Sequence, residues 1–204
     1  MPAGLAPRRI LTGAFSGLTL ILDLRCQAQC WLGLYERELY RPLRRLSCGI
    51  RTAVDLGCAE GEFTVYFLAR TPATTVFAID GNADYLEALR RNVQLNPPAD
   101  SRLVLHQGYI ESLDWLVDQI EPPCLLKMDI DGGESSVLAN SPRLLALPRM
   151  RWVIEVHSAD LERDCVRLLE QNRYRARIVN NAWWRHLLHE QRPIELNRWI
   201  VAER

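Results

Sequence analysis

Residues 54–63 read VDLGCAEGEF, and this stretch decides the fold. An apolar run is closed by Asp55, two glycines (Gly57 and Gly61) flank a turn, and a second apolar segment begins directly afterwards. Glycines at such a turn let a ligand approach the backbone closely, and the N-terminus of a following helix offers free N–H groups to an anion. The stretch therefore predicts a β-strand, a ligand-binding turn and an α-helix.

A second strand with an acid at its end follows in FAIDGNADYL, residues 77–86. Asp80 stands where this strand ends, and a carboxylate there can accept hydrogen bonds from both hydroxyls of a ribose. Each pattern alone is a weak signal. Together, with the acid about 20 residues beyond the glycine turn, they indicate a site for a nucleoside cofactor.

The identity of the cofactor depends on the residues inside the turn. The G-x-G-x-x-G fingerprint of dinucleotide-binding proteins fails, since Ala59 and Glu62 occupy its second and third glycine positions. A sulfonium nucleoside with an amino-acid tail suits the turn better, because its ammonium can pair with Asp55 or Glu60 and its carboxylate can bind the turn amides. The residues therefore favour S-adenosylmethionine as the cofactor.

The rest of the chain predicts strands that alternate with helices. Strands are expected at residues 52–56, 75–80, 102–106, 124–130, 151–157, 174–179 and 198–202, with helices at 61–70, 83–95, 111–120, 134–139 and 161–171. This alternation indicates a mostly parallel sheet with helices on both faces. Ligands of such sheets bind at the carboxyl ends of the strands.

Residues 1–50 are expected to form an extension that packs on a domain of residues 51–204. Apolar and polar residues alternate over residues 18–24, which predicts a β-hairpin that turns at FSG, residues 15–17. Residues 31–46 predict a helix that Pro42 kinks or divides. No stretch is long enough to span a bilayer.

Composition limits the function classes. The 204 residues suit one domain, and 25 basic and 25 acidic residues give a formal net charge of +0. No lysine-rich group or basic stripe stands out, so no nucleic-acid partner is expected. The six cysteines lack metal-ligand spacing, which indicates reduced thiols and a cytoplasmic protein. The oligomeric state stays open.

Four stretches resemble, in order, motifs of FkbM-type class I S-adenosylmethionine-dependent methyltransferases. They are VDLGCAEGEF (54–63), FAIDGNADYLEALRRNVQLN (77–96), LLKMDIDGGESSVL (125–138) and WVIEVH (152–157). The segment WLGLYERELYRPLRRL (31–46) resembles the lead-in segment of that family. The resemblance covers roughly residues 31–160 and implies a single-domain, Rossmann-like α/β fold.

The resemblance also implies cofactor-binding roles for the matched positions. Asp55, Gly57 and Gly61 would line the methionine end of the cofactor. Asp80 would bind the ribose, and Asp129 would face the sulfonium. The positions implied to lie against the adenosine are Gly81, Asn82, Gln107 and Gly108.

A group of carboxylates follows the fourth predicted strand. Asp129, Asp131 and Glu134 are expected to project into the cleft beside the methyl group, and Glu155 and His157 point the same way from the next strand. A carboxylate or a neutral imidazole there can remove the proton of a hydroxyl acceptor. The candidate catalytic residues are Asp131, Glu134 and His157. An alternative is a divalent cation, which takes oxygen ligands and acidifies a bound hydroxyl, held by Asp131, Glu134, Glu155 and His157.

The expected function is methyl transfer to a hydroxyl or carboxyl group of a small metabolite or glycan. The sequence NPPA at residues 96–99 lacks the aromatic residue of the N-P-P-aromatic motif and follows a predicted helix, so it is interpreted as a helix stop. The fourth predicted strand ends in DIDGGE instead of that motif, which argues against methylation of an adenine or cytosine nitrogen. The walls of an acceptor pocket are expected among Tyr109, Trp115, Trp183 and Trp184. The alternative is a nucleoside-binding module or partner subunit that keeps the fold without turnover.

Overall fold

The computed structural model describes residues 4–97, 100–182 and 197–204. The strands in these residues are β1 (Ala6–Arg9), β2 (Thr19–Leu22), β3 (Thr52–Leu56), β4 (Thr75–Asp80), β5 (Leu103–Gln107), β6 (Cys124–Met128), β7 (Met150–Val156), β8 (Arg175–Val179) and β9 (Arg198–Glu203). The helices are α1 (Ala28–Leu32), α2 (Tyr40–Leu46), α3 (Glu62–Arg70), α4 (Ala83–Gln94), α5 (Glu134–Ala139), α6 (Pro142–Ala146) and α7 (Ala159–Gln171). Within the described ranges, no helix combines the length and the apolar character that crossing a bilayer requires.

The central sheet has seven strands in the order β5-β4-β3-β6-β7-β9-β8. The strands from β5 to β7 are parallel, and β9 is antiparallel to both of its neighbours. Every residue of β3 and β6 is buried, as expected for strands covered on both faces. The predicted fold class is therefore confirmed. Because the strand order reverses at β3, the switch point lies between the carboxyl ends of β3 and β6.

Two apolar cores cover the two faces of the sheet. Ala53 faces the core shared with the hairpin, α3 and α4, and Val54 faces the core shared with α5, α6 and α7. All six cysteines are free, and four of them are buried in these cores.

The predicted N-terminal hairpin is present, because β1 and β2 pair in antiparallel fashion. Its leucines face the core, and Asn92 of α4 and Asn96 just beyond α4 bind the outer edge of β2. The Asn92 side-chain oxygen accepts a hydrogen bond from Ile21 N–H at 2.8 Å, and that of Asn96 accepts one from Thr19 N–H at 2.9 Å. These side chains take the place of a neighbouring strand. The division of the chain at residue 50 stays a prediction.

The expectation of one helix over residues 31–46, divided at Pro42, is wrong. The break falls at Gly33, which ends α1 in the left-handed conformation with φ of 73°. Pro42 lies in the first turn of α2, where a missing N–H removes no helical hydrogen bond.

The expected helix at residues 111–120 is also wrong, since only Asp114–Leu116 form a short 3₁₀ turn. The carboxylate of Asp114 instead accepts hydrogen bonds from the N–H groups of Arg143 (3.2 Å) and Leu144 (2.9 Å) at the start of α6. This contact joins positions about 30 residues apart and fixes the 3₁₀ turn against the start of α6. Local periodicity does not report such a contact, so α6 was not predicted.

Candidate active site

The turn after β3 is built on glycine. Gly57 and Gly61 have φ of 74° and 90°, in the region that favours glycine. A Cβ at position 57 would lie 1.7 Å from the carbonyl oxygen of Asp129, and one at position 61 would lie 2.5 Å from the side chain of Leu89. The ends of β3 and β6 therefore meet backbone to backbone, directly before α3 begins.

Asp80 joins this turn to the end of β4. Its Oδ2 accepts a hydrogen bond from Ala59 N–H at 3.0 Å, and its Oδ1 accepts one from Asn82 N–H at 2.8 Å. Each carboxylate oxygen keeps further acceptor capacity for a ribose hydroxyl. The cap of α4 is a different residue, because the Asn82 side chain accepts the hydrogen bond from Asp84 N–H.

The positions implied for adenosine lie at the neighbouring ends of β4 and β5. The N–H of Gly108 donates to the carbonyl of Asp80 at 3.0 Å, and exposed Gln107 precedes it. The exposed ring of Tyr109 lies over Gly81, where a Cβ would come within 2.8 Å of it.

Two of the aromatic residues expected at the acceptor pocket lie elsewhere. Tyr109 is on the β4–β5 side, and Trp115 packs on the ring of His106 at a centroid distance of 4.7 Å. Trp115 belongs to the margin of an apolar core, because residues 111–120 do not form the expected helix. Trp183 and Trp184 lie outside the described residues.

Asp55 is almost fully buried, with 1% of its surface exposed. Its Oδ2 accepts a hydrogen bond from the Thr64 hydroxyl at 2.6 Å, whereas its Oδ1 has no partner among the described residues. Burial raises the pKa of Asp55 to about 6, although the neighbouring Lys127 opposes the rise. A buried acceptor without a donor is costly, so this oxygen suits the ammonium of an amino-acid tail.

The other acidic residues of the turn differ in their surroundings. Burial, followed by the charge of Glu60, raises the pKa of Glu62 to about 7. The backbone carbonyl of Glu60 accepts a hydrogen bond from the Asn92 side chain at 2.8 Å. The hydrogen bond from Asn92 thus ties the turn to α4.

Lys127 is buried beside the candidate active site, and its Nζ lies 3.4 Å from Asp129 Oδ2 and 4.7 Å from the ring centre of Phe63. Burial alone would lower its pKa, but Asp129, Glu36, Asp55 and Glu155 raise it. Lys127 is therefore a buried cation that holds several carboxylates together.

Sequence reasoning missed both Lys127 and Glu36. The signal for Lys127 was a single lysine inside the apolar run CLLKMDI. Glu36 gave no comparable signal, because it arrives from the segment between α1 and α2, where it is buried with φ of 44°.

His157 and Asp129 form the central pair of the site. His157 Nε2 lies 3.2 Å from Asp129 Oδ1 and 3.6 Å from Asp131 Oδ1. The hydrogen bond with Asp129 raises the pKa of His157, although burial opposes it. Burial would raise the pKa of Asp129, but Lys127 and His157 lower it below its usual range. Asp129 is thus an ionised group that orients the imidazole, with exposed Asp131 nearby.

Glu134 does not project into the cleft as expected. It is fully buried, its Oε1 accepts a hydrogen bond from Ile130 N–H at 2.9 Å, and its Oε2 accepts one from Gly132 N–H at 3.0 Å. These two N–H groups lie beyond the end of β6 and have no partner in the sheet, so they need other acceptors. The carboxylate of Glu134 at the start of α5 supplies them. Glu134 shapes the loop at residues 130–132.

One group of possible metal ligands occurs among the described residues. Single ligand atoms of Asp129, Glu134 and His157 lie within 4.8 Å of one another. This group keeps Glu134 and His157 of the expected set and replaces Asp131 and Glu155 with Asp129. The oxygens of Glu134 already accept two backbone hydrogen bonds. A divalent cation at these residues stays a prediction.

The proteins that are similar to this chain are methyltransferases or are named for tRNA wybutosine synthesis. A family model described as FtsJ-like methyltransferase matches residues 34–138. The chain is 34% identical over 100 residues to a release factor glutamine methyltransferase of Synechocystis, covering 46% of this chain and 33% of that protein. It is 33% identical over 95 residues to the tRNA wybutosine-synthesizing protein 2/3/4 of Oryza sativa subsp. japonica, covering 47% of this chain and 9% of that protein. The chain thus spans about a third or less of these relatives.

A solved structure of the same fold carries the cofactor. TYW2 of M. jannaschii in complex with AdoMet aligns with a TM-score of 0.54 and 12% identity, covering 99% of this chain and 86% of that chain. The prediction of S-adenosylmethionine as cofactor is confirmed.

The expected acceptor class, a small molecule or glycan with no nucleic acid, is wrong. Proteins named for tRNA and for a release factor are among the relatives. The net charge does not exclude a nucleic-acid partner, because it averages over the chain: residues 1–51 carry eight arginines and three acidic residues.

Proposed function

Because the chain belongs to the FtsJ-like methyltransferase family, we propose that it transfers a methyl group from S-adenosylmethionine to an RNA acceptor, whose proton passes to His157. The observation that carries this proposal is the 3.2 Å contact of His157 with Asp129, one residue beyond the end of β6 and against Gly57. When bound, S-adenosylmethionine supplies an electrophilic methyl group on its sulfonium.

The residues around the glycine turn fit the cofactor. The unpartnered Oδ1 of Asp55 suits the ammonium, and Asp80 has acceptor capacity left for the ribose hydroxyls. Gly57 and Gly61 keep the backbone open for close approach. The implied adenosine contacts of Gly81, Asn82, Gln107 and Gly108 remain part of the proposal.

His157 is the proposed general base through Nδ1, which has no partner among the described residues, and Asp129 is its positioning residue at Nε2. Since Asp129 stays ionised, it can stabilise the imidazolium that forms when His157 takes a proton. Asp131 is a second carboxylate within reach of the same imidazole. Glu134 would act indirectly by holding the loop that carries Asp131. A hydroxyl acceptor, as expected from the sequence, needs such a base because its proton must leave.

An RNA acceptor is supported by relatives that are named for tRNA wybutosine synthesis and by the arginine-rich first 51 residues. Phosphate neutralisation by arginine is the main source of affinity for nucleic acids. The finer FkbM-type assignment, O-methylation and a cytoplasmic location remain predictions from the sequence.

The test has a binding arm and a turnover arm. A thermal shift with S-adenosylhomocysteine, and none with NAD, is expected. Labelled methyl groups should then appear in unfractionated tRNA, and nuclease digestion with mass spectrometry should identify the methylated atom. His157→Gln should lower the single-turnover rate about 100-fold or more, and His106→Gln, whose ring stacks on Trp115, should not.

Other outcomes would change the assignment. Binding of S-adenosylhomocysteine without methylation of RNA or protein would favour the nucleoside-binding module. Label in protein alone would contradict the RNA acceptor. Metal analysis of protein purified without added cation tests the divalent-cation hypothesis.

A further inference from the structure

A groove of about 580 Å³ lies at the amino edge of the central sheet, at the opposite end of the strands from the candidate active site. Its walls are the C-terminal ends of α2 and α3 and the loop of the hairpin. We call it the arginine groove and define it by Arg44, Ser47, Tyr66 and Arg70. None of the candidate active-site residues lines this groove.

The arginine groove is positively charged. Arg44 and Arg70 line it, and no acidic side chain is among its lining residues. Arg9 of β1 approaches the same region, since Arg9 and Arg70 come within 3.7 and 3.5 Å of one point above Gly17. In the ranges that the structure covers, none of these arginines has a carboxylate partner. Like charges held together repel, so a bound anion would stabilise the groove.

Two hydroxyl groups complete the floor of the arginine groove. Tyr66 and Ser47 are 3% and 5% exposed. Both side chains line the groove together with Arg44 and Arg70, and the buried Ser47 hydroxyl has no hydrogen-bond partner among the described residues. Guanidinium and hydroxyl donors around one space match the acceptor oxygens of a phosphate.

Three exposed arginines precede and enter this groove along the chain. Arg41 and Arg44 are exposed and three positions apart, so they share one face of α2, and exposed Arg37 precedes them in a 3₁₀ turn. The segment begins beside Glu36, which belongs to the charged group around Lys127. Among the described residues this arginine stripe has no carboxylate partners, whereas Arg45 beside it pairs with Glu203. The formal net charge of +0 gives no sign of this stripe.

We propose that the arginine groove and the arginine stripe hold the phosphodiester backbone of the acceptor RNA, while one nucleotide reaches His157. This inference rests on the proposed RNA acceptor. Arginine binds phosphate through paired N–H groups, and such contacts position a nucleic acid without reading its sequence. The surface thus fixes where the RNA lies and leaves the choice of nucleotide to the active site.

The test compares two double variants with equal loss of charge. Arg41→Gln/Arg44→Gln removes two arginines that make no hydrogen bond to other described residues. Arg163→Gln/Arg167→Gln is the control, because both arginines are exposed on α7 and pair with Asp160 and Asp164. Binding of fluorescein-labelled unfractionated tRNA is measured by anisotropy from 50 to 200 mM NaCl.

The stripe variant is expected to bind tRNA about tenfold more weakly, with a slope of log K against log salt smaller by about 2. The control should match the wild type in both measurements. Unchanged affinity for S-adenosylhomocysteine in each variant shows that the fold is intact.

Three outcomes would decide against the proposal or its premise. If wild-type protein binds and methylates tRNA and the stripe variant does so equally, the inference about the groove fails alone. If titration with inorganic phosphate shows binding that Arg44→Gln abolishes while tRNA affinity is unchanged, the groove is a small-anion site only and the inference also fails. If wild-type protein neither binds nor methylates tRNA, the RNA acceptor itself is wrong.

Discussion

The side-chain amide of Asn92 donates a hydrogen bond to the backbone carbonyl of Glu60 over 2.8 Å, inside the turn that follows β3. The oxygen of the same amide accepts the N–H of Ile21 in β2, also over 2.8 Å. Asn92 is 1% exposed. A single buried side chain therefore joins the hairpin to the cofactor turn, and the hairpin supports the site.

Replacing Asn92 with alanine should destabilise the protein and weaken the cofactor site. Asn92→Ala leaves two partly buried backbone groups without partners, which should lower the free energy of unfolding by about 1–3 kcal/mol. Affinity for S-adenosylhomocysteine should fall as the turn loosens. Asn172→Ala is the control, because that amide donates only to the carbonyl of Leu168 at the end of α7. Urea denaturation and calorimetric titration measure both effects, and equal stability of the two variants would refute this role.

Gly57→Ala should abolish cofactor binding. The new Cβ would lie 1.7 Å from the carbonyl oxygen of Asp129, so β3 and β6 would have to separate at the switch point. Gly49→Ala isolates the backbone effect, since Gly49 has φ of 67° but open space around its Cβ position. The control should cost about 1–2 kcal/mol and keep cofactor affinity. Normal binding of S-adenosylhomocysteine by Gly57→Ala would contradict the close approach.

The reaction rate should rise with pH as His157 loses its proton. Because the hydrogen bond with Asp129 raises the pKa of His157, the midpoint of the single-turnover rate should lie above 6.5. In Asp129→Asn the pKa of His157 should fall, since burial then acts without the carboxylate. Asp131→Asn should shift it less, because Asp131 is exposed and 3.6 Å away. Titration of the His157 resonances by NMR reads this pKa independently of turnover, and an unchanged value in Asp129→Asn would exclude the pairing.

Asp55 should make the protein less stable as pH rises. Its pKa is about 6 in the folded protein and about 3.9 in an unfolded chain, so between these values the folded state binds more protons. Stability is therefore lost as pH rises from about 4 to 6. Asp55→Asn keeps an acceptor for Thr64 and removes this loss, so it should be more stable than the wild type by about 2–3 kcal/mol above pH 6.

The same variant should bind S-adenosylhomocysteine more weakly, because the ammonium loses its carboxylate. Asp118→Asn is the control, since that side chain is exposed and paired only with Arg143, and its effect should be small at every pH. Urea denaturation at pH 4.5, 6 and 8 measures the difference. Lower stability of Asp55→Asn at pH 8 would show that the ionised carboxylate is stabilising.

Much of the sheet could be predicted from the sequence because its signals are local. Both β4, at Thr75–Asp80, and α5, at Glu134–Ala139, have the predicted bounds. Apolar runs bounded by glycine and acid mark such elements. Asp55 and Asp80 were found at strand ends for the same reason, although their roles as cofactor contacts remain predictions.

The features that the sequence did not predict depend on contacts between side chains and backbone groups that come together only in the folded chain. Asp114 interrupts the expected helix at 111–120 because its carboxylate binds the start of α6. Glu134 points back into its loop because the N–H groups of Ile130 and Gly132 need acceptors. No periodic pattern reports such pairings, since they exist only after the elements have packed.

The asparagines that line the outer side of β2 also cover an open strand edge. An open strand edge is a template on which a second molecule can add a strand. Asn92 and Asn96 occupy the donors of β2, while β1 is short and contains Pro7 and two arginines, features that discourage such addition. Losing either asparagine would thus favour aggregation of protein that is otherwise folded.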